Sequence, residues 1–350
     1  MLEINVLEKS FINISGEIYD SEFINLVNIE GDKVTLDERT LFLTHLEKER
    51  LNVQPIKNYN DAVYIFKYKH SYGMIGDVPI KEYDSGRIKC HELVMPDTVQ
   101  GMLSNLHSYN CEAAPILLAH RKKINYSYYI SEKKYEENFS LSGGLEIYVF
   151  CGEEAVKITK EFVDEENVYV ADGHHRLYTT SLSSFKSSVL SCLISFEYLD
   201  ILPIHRLIPN IDAQLFENAK DFIHSKFNVM AEHTPLSKGK VRLEYEEEKF
   251  VVDLIELNSD AFWNNDIYRL NTQIISQAFR IFDTGSLLYL SDMELKNYKS
   301  TPGKKNILIE TYPVTKEEFM NCANNNTIMP PKSTWFAPKF PSFLVFKQYK

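Results

Sequence analysis

Residues 171 to 176 read Ala-Asp-Gly-His-His-Arg, a carboxylate, two imidazoles and a guanidinium gathered around one glycine. The apolar run Val168-Tyr169-Val170 precedes them, and Leu177 to Phe185, free of Gly and Pro, follows. That order predicts a strand turning into a helix, with the polar groups crowded at the helix N-terminus. Such a terminus attracts anions through its amide groups and the positive end of the helix dipole, and Arg176 adds a two-pronged contact. Adjacent helical residues point about 100° apart, so His174 and His175 are poorly placed to chelate one metal, and a phosphate cradle fits better than a zinc site. The structural alternative is that Asp172 caps the helix while both histidines and Arg176 satisfy buried backbone groups.

Three further groupings carry reactive or charged side chains. His91-Glu92 ends a short strand candidate, Arg87 to Glu92, just before a helix, where a side chain projects into a cleft. A lone Glu there is more often a solvated loop residue. Met329-Pro330-Pro331-Lys332-Ser333-Thr334-Trp335-Phe336-Ala337-Pro338-Lys339 is a stiff loop bracketed by prolines. It either presents Lys332, Ser333 and Thr334 to a pocket or plugs the core with Trp335 and Phe336. His205-Arg206, after Pro203, is the weakest of the three, since an Arg at a strand end most often makes a surface ion pair.

These groups need a scaffold, and the chain supplies one. At 350 residues and 44% hydrophobic it holds enough for one large or two modest domains, with no repeat or low-complexity tract. The net charge of −11 argues against a surface that grips nucleic acid by neutralising phosphates, so nucleic acid is not an expected partner. No apolar run is long enough to span a bilayer and the start lacks a signal-peptide pattern, which predicts a cytoplasmic protein with no membrane association. The five cysteines are odd in number and far apart, without Cys-x-x-Cys spacing, and are read as reduced and mostly buried. Nothing in the sequence sets the oligomeric state.

Along the chain, residues 1–60 read as a small N-terminal lobe, in which Thr35-Leu36-Asp37-Glu38 opens a helix carrying Leu41, Phe42, Leu46 and Leu51. Residues 61–210 read as the core. There Val63 to Phe66 and Gly73 to Gly76 form a hairpin, Pro96-Asp97 starts a helix, and Pro115 to Leu118, Leu145 to Phe150 and Val189 to Ile194 are strands. The polar, tyrosine-rich stretch 121–144 is expected to be an insertion or flexible flap. Residues 211–350 read as a second lobe, with helices at Ala213 to Phe227, Asn271 to Phe282 and Lys316 to Asn324 and strands at Lys240 to Tyr245 and Phe250 to Leu254. The fold class is α+β.

Gly86 to Glu92, Pro96, Ala114 to Leu117, Ala171 to Arg176, Ile201 to Arg206 and Met329 to Lys339 occur in an order that resembles the prokaryotic domain-of-unknown-function family numbered one thousand and fifteen. Cys90 departs from that pattern, which usually reads Lys or Pro, and the N-terminus is short for the family. The order Glu, helix, Pro-Ile strand, Asp-Gly-His-His-Arg, helix is also similar to the nucleotide-binding core shared by the ParB partition protein, sulfiredoxin and the free serine kinases. The resemblance implies a ParB/sulfiredoxin-like mixed sheet-and-helix core with a second α+β lobe.

It implies an activity as well, a small-molecule kinase that phosphorylates the hydroxyl of free L-serine with ATP or ADP and Mg²⁺. Glu92 would be the catalytic base, with Asp172 as Mg²⁺ ligand or second carboxylate, and Gly173, His174, His175 and Arg176 around the phosphates. His91, His205, Arg206, Lys332, Ser333 and Thr334 would contact substrate or close the pocket. The alternative is a non-catalytic, ParB-like nucleotide-binding regulator. Sulfiredoxin-like chemistry fits less well, because no cysteine lies within the turn.

Overall fold

Ile56–Tyr68 and Ser71–Pro79 form the expected hairpin, paired in register from Tyr64 opposite Ile75 to Tyr68 opposite Ser71, with Lys69 in the left-handed region at the tip. The computed structural model describes residues 1–36, 38, 40–257, 262–299 and 305–350. The chain divides into two units, one of Met1–Cys90, Val94–Leu199 and Pro338–Lys350, the other of His91–Leu93 and Asp200–Ala337.

The first unit is built on one mixed sheet. From the hairpin it runs through Ser188–Ser195, Ile116–His120 and Val168–Asp172 to Ile88–Lys89 at one edge. In the other direction come Leu7–Asn13, Val345–Gln348, Cys111–Glu112, Leu26–Glu30 and Lys33–Thr35. Leu145–Cys151 also pairs with Ile56–Tyr68. Ser188–Ser195 and Ile116–His120 are parallel neighbours and read as near-continuous buried runs, as strands covered on both faces must. Val63, Ile65, Ile116, Leu118, Val170, Leu177 and Leu193 belong to one core cluster. Next to it lies a buried polar network. Lys347 donates to Asp77 and to Ser188 Oγ at 2.7 Å, while Lys186 donates to Glu112 Oε1 and Thr180 Oγ1, each at 2.9 Å.

Several expectations change here. The first sixty residues do not stand apart, because Leu7–Asn13 pairs with Ile56–Tyr68 inside the main sheet. Thr35 ends a strand, and the helix, His45–Asn52, takes its cap nine residues later at Thr44, which makes a reciprocal capping box with Glu47. Both Thr35-x-x-Glu38 and Thr44-x-x-Glu47 carry the capping signature, and the sequence alone does not choose between them. Asp37, part of that expectation, lies outside the described residues. Leu51 is buried as expected, but Leu41, Phe42 and Leu46 are exposed. The stretch 121–144 is not a flap. It holds the helix Tyr126–Glu132 and the strand Glu137–Ser140, and the buried rings of Tyr126 and Tyr129 belong to the core, with Tyr129 donating its hydroxyl to Glu161 Oε1 at 2.6 Å.

The second unit carries a sheet in the order Asn228–Ala231, Glu248–Asp253, Lys240–Tyr245, Ile307–Glu310, His205–Ile208, Leu288–Leu290. Asp200–Leu202 and Trp335–Ala337 form a separate antiparallel pair. The helix Ala213–Lys226, capped by Asp212, buries Phe216, Ala219 and Ile223, one helical face, in the core of this unit. The helix expected from Asn271 starts earlier, at Asp266–Arg269 with Asn265 as its cap, and continues as a π-helix over Leu270–Ser276. Both units mix strands and helices, and the fold is α+β. Among the described residues no helix is long and apolar enough to cross a membrane.

Candidate functional site

The strand Val168–Asp172 does turn into a helix, His174–Ser181, through Gly173 at φ 94° and ψ 27°. Only glycine adopts that backbone readily. Space demands it too, since a Cβ at Gly173 would lie 2.7 Å from Ile116 Cγ2 and 3.1 Å from Arg176 Nη2. Eight residues are too few for an isolated helix, so this one is held by burial of Leu177, Thr179 and Thr180. No side chain caps its start by hydrogen bonding, so Asp172 is not the cap that the structural alternative supposed.

The Asp172 carboxylate is shared between two cations instead. Arg176 Nη2 donates to Oδ2 at 2.8 Å and Lys339 Nζ to Oδ1 at 2.8 Å. Burial works against the charge on Asp172, but Arg176 and Lys339 outweigh it and hold the carboxyl below its ordinary value. Lys339 also donates to the exposed Glu22 at 3.3 Å, and despite burial its two carboxylate neighbours raise its value. The turn therefore presents a fixed, ionised triad of Lys339, Asp172 and Arg176.

Arg176 is less available than a phosphate clamp would be. Its Nη1 donates to the carbonyls of Ala114 and Pro115 at 2.8 and 2.9 Å, so the guanidinium ties the turn to the chain entering Ile116–His120. His175 Nε2 accepts from the Met95 amide at 3.0 Å, at the start of the helix Pro96–Ser108, and that ring nitrogen is committed to backbone. Burial pushes His174 down to about 4, so at neutral pH it is an uncharged hydrogen-bonding group. Within the expected cradle, Arg176 and His175 also tie the turn to neighbouring segments of the first unit. Arg176 spends Nη1 on two backbone carbonyls and Nη2 on Asp172, and His175 spends one ring nitrogen on a backbone amide.

Lys339 is the cation that sequence reading missed. It lies at the end of the proline-bracketed loop that also carries Lys332, and since each lysine follows a proline no local signal separates the two. Lys332 belongs to the second unit, is exposed, and has φ 59°. Its carbonyl accepts from Arg206 Nη2 at 2.7 Å. Ser333 Oγ donates to the Pro330 carbonyl at 2.6 Å, and the Thr334 hydroxyl pairs with His91 Nε2 at 3.0 Å. His91 is buried with its ring against Phe319 and Phe336. Phe336 is the loop's buried anchor at 1% exposure, whereas Trp335 is 40% exposed and not the plug expected.

His205 Nδ1 accepts from the Thr311 amide at 3.2 Å and its Nε2 meets Asp292 Oδ1 at 2.9 Å. Arg206 is fully buried, 5.5 Å over the Tyr289 ring, which corrects the surface-pair reading. Both residues, like Ser333 and Thr334, serve the internal structure of the second unit. Glu92 lies in the same unit, half-buried, just before the helix Pro96–Ser108.

Chemically, the turn can hold an anion beside a positioned ammonium. It is poorly suited to removing a proton, because a carboxylate held below its ordinary value with both oxygens engaged is a weak base. Nor does Asp172 fit the Mg²⁺ role as arranged, since a divalent ion would compete with two cations already on its oxygens. Among the described residues no group of three or more His, Cys, Asp or Glu is arranged to hold a metal.

The family model described as a protein of unknown function (DUF1015) matches residues 56–273. A search of curated proteins finds no match. Among solved structures, a free serine kinase in complex with AMP is 14% identical, with 76% of this chain and 88% of that one covered at a TM-score of 0.40. SbnI with a C-terminal truncation, from Staphylococcus aureus, is 11% identical over 77% and 86%, at 0.45. A conserved hypothetical protein from Pyrococcus furiosus is 14% identical over 79% and 94%, at 0.41. All three likenesses are distant.

Proposed function

The chain belongs to the DUF1015 family of proteins of unknown function, and within it we propose that the turn at Asp172 binds the phosphates of ATP or ADP for transfer to the hydroxyl of free serine. The observation that carries this reading is the pairing of Lys339 with Asp172 at a glycine-started helix N-terminus, which keeps an ammonium charged and aimed where a helix already favours phosphate. The Asp-Gly-His-His-Arg signature, similar to that of the free serine kinases, supports the choice of reaction.

In this reading Lys339 neutralises charge spreading over the transferred phosphoryl group, and Asp172 positions Lys339. Arg176 positions Asp172 and the Ala114-Pro115 backbone. Glu92 is the base, on the sequence resemblance. A bond forms between the serine hydroxyl oxygen and the terminal phosphorus as the bond from that phosphorus to the departing nucleotide breaks, and the hydroxyl proton passes to Glu92.

One observation favours a second reading, a ParB-like regulator that binds nucleotide without turnover. At the turn itself Asp172 is held too acidic, and His174 is pushed too low, for either to act as a base near neutrality. Incubation with terminally labelled ATP or ADP and a panel of amino acids tests both. Labelled O-phosphoserine supports the kinase, and tight binding without product supports the regulator. Absence of nucleotide binding overturns both.

A further inference from the structure

The second unit contains a cavity of about 660 Å³ with no part in the reading above. It lies where the helix Ala213–Lys226 ends, Lys240–Tyr245 begins, Glu248–Asp253 ends and the helix Asp266–Arg269 passes. Its charged lining is Lys226, Lys238, Asp253, Glu256 and Arg269. That volume falls within the range of small-molecule sites, roughly 300–1,000 Å³.

Arg269 gives the cavity its character. Only 5% exposed, it donates from Nη1 to the Leu254 carbonyl at 3.2 Å and from Nη2 to Asp266 Oδ1 at 2.6 Å. Its Nε has no hydrogen-bond partner among the described residues. Asp266 has little more to offer, because its other oxygen accepts from the Gly239 amide at 2.6 Å. Gly239, at φ 83°, lies close against the guanidinium, and a Cβ there would come within 3.4 Å of Nη2. A buried guanidinium with one donor unused keeps part of its positive charge uncompensated beside the cavity.

The lining is not uniformly basic. Lys226 and Lys238 add positive charge, Lys238 also pairing with Glu318, while half-buried Asp253 and exposed Glu256 face the same space. A simple anion meets the two carboxylates, and a simple cation meets the arginine and the lysines. A molecule carrying both charged groups on one carbon meets neither penalty. We propose that this cavity is a second small-molecule site that takes a zwitterionic α-amino acid, its carboxylate on Arg269 and Lys238 and its ammonium on Asp253 and Glu256.

Calorimetric titration of the full chain with alanine, and with propionate and ethylamine as single-charge analogues, tests this. Alanine has no hydroxyl to phosphorylate, so the measurement is separate from any serine kinase activity. Alanine is expected to bind roughly tenfold or more tightly than either analogue, and Asp253→Asn and Lys238→Ala each to weaken it by a similar factor. Arg269→Ala also breaks the buried pair with Asp266, so the test rests on the two milder variants. Nucleotide binding is expected to be unchanged in both. Equal binding of the analogues, no heat with alanine at about 10 mM, or an alanine affinity indifferent to both substitutions would overturn the proposal.

Discussion

Lys339 Nζ stands 2.8 Å from Asp172 Oδ1 although 167 positions separate the two residues in sequence. The charge of the turn is therefore set by a segment that returns to it from the far end of the chain. Removing the ammonium while keeping the bulk, as in Lys339→Met, is expected to weaken nucleotide binding roughly 10- to 100-fold, the worth of one charge-assisted hydrogen bond. Lys332→Ala, at an exposed side chain, is expected to bind nucleotide like the parent. Calorimetry on both variants checks the contrast, and equal loss in the two would return the role to Lys332.

Arg176→Ala is expected to cost stability as well as affinity. It leaves two backbone carbonyls and one side of Asp172 without their donor, a loss of about 2–3 kcal/mol for a half-buried guanidinium. Urea unfolding monitored by circular dichroism reads this directly. A variant as stable as the parent but unable to bind nucleotide would show that the guanidinium serves the ligand first.

Glu92→Gln keeps the shape of the side chain and removes its basic oxygen. If Glu92 is the base, turnover falls roughly 10²- to 10⁴-fold with nucleotide affinity retained. Asp172→Asn should do the opposite, weakening nucleotide binding by loosening Lys339. Single-turnover and binding measurements on the pair separate the two roles.

Two histidines make the fold sensitive to acid. Burial pushes His120 and His174 each down to about 4. In the unfolded chain an imidazole takes its proton near 6.5, so between about pH 6.5 and 4 the unfolded state binds protons that the folded state refuses. Stability falls as pH drops through that window, by about 3 kcal/mol per histidine at its lower end. Replacing His120, whose ring packs edge-on to Phe162, with Phe is expected to flatten the profile. Urea midpoints at several pH values between 7.5 and 4.5 test this; a parallel fall in parent and His120→Phe would assign the acid sensitivity elsewhere.

In the C-terminal loop, Phe336→Ala is expected to cost about 3–5 kcal/mol, the range for a buried aromatic. Trp335→Ala, at a residue 40% exposed, is expected to cost much less. Thermal melts of the two variants rank them.

What the sequence made legible was local. Val168 to Arg176 announced a strand, a glycine turn and a helix because each signal lies within a few residues of the next. The helix Lys316–Asn324 and the strand Lys240–Tyr245 followed their patterns to the residue, the helix because Thr315 and Glu318 form a capping box. The partners of those groups were not legible. Nothing near Arg176 says that its donors go to Ala114 and Pro115, and nothing in the proline-bracketed loop says that its last lysine rather than Lys332 meets Asp172. Tyr126 and Tyr129 misled for a related reason. A tyrosine-rich stretch looks polar until the core beneath it is known.

The strand Val345–Gln348 lies between Leu7–Asn13 and Cys111–Glu112, and Lys347 reaches from it to Asp77. A nascent chain leaves the ribosome N-terminus first, so the first unit has a gap in its sheet throughout the synthesis of residues 200–337. During that interval the edge of Leu7–Asn13 lacks its partner and Asp77, destined for burial, lacks its cation. The second unit, whose long segment is contiguous, is free to form first. Closure of the first unit waits for its final strand, and a ribosome that stalls before Val345 leaves an open-edged sheet for chaperones or proteases to meet.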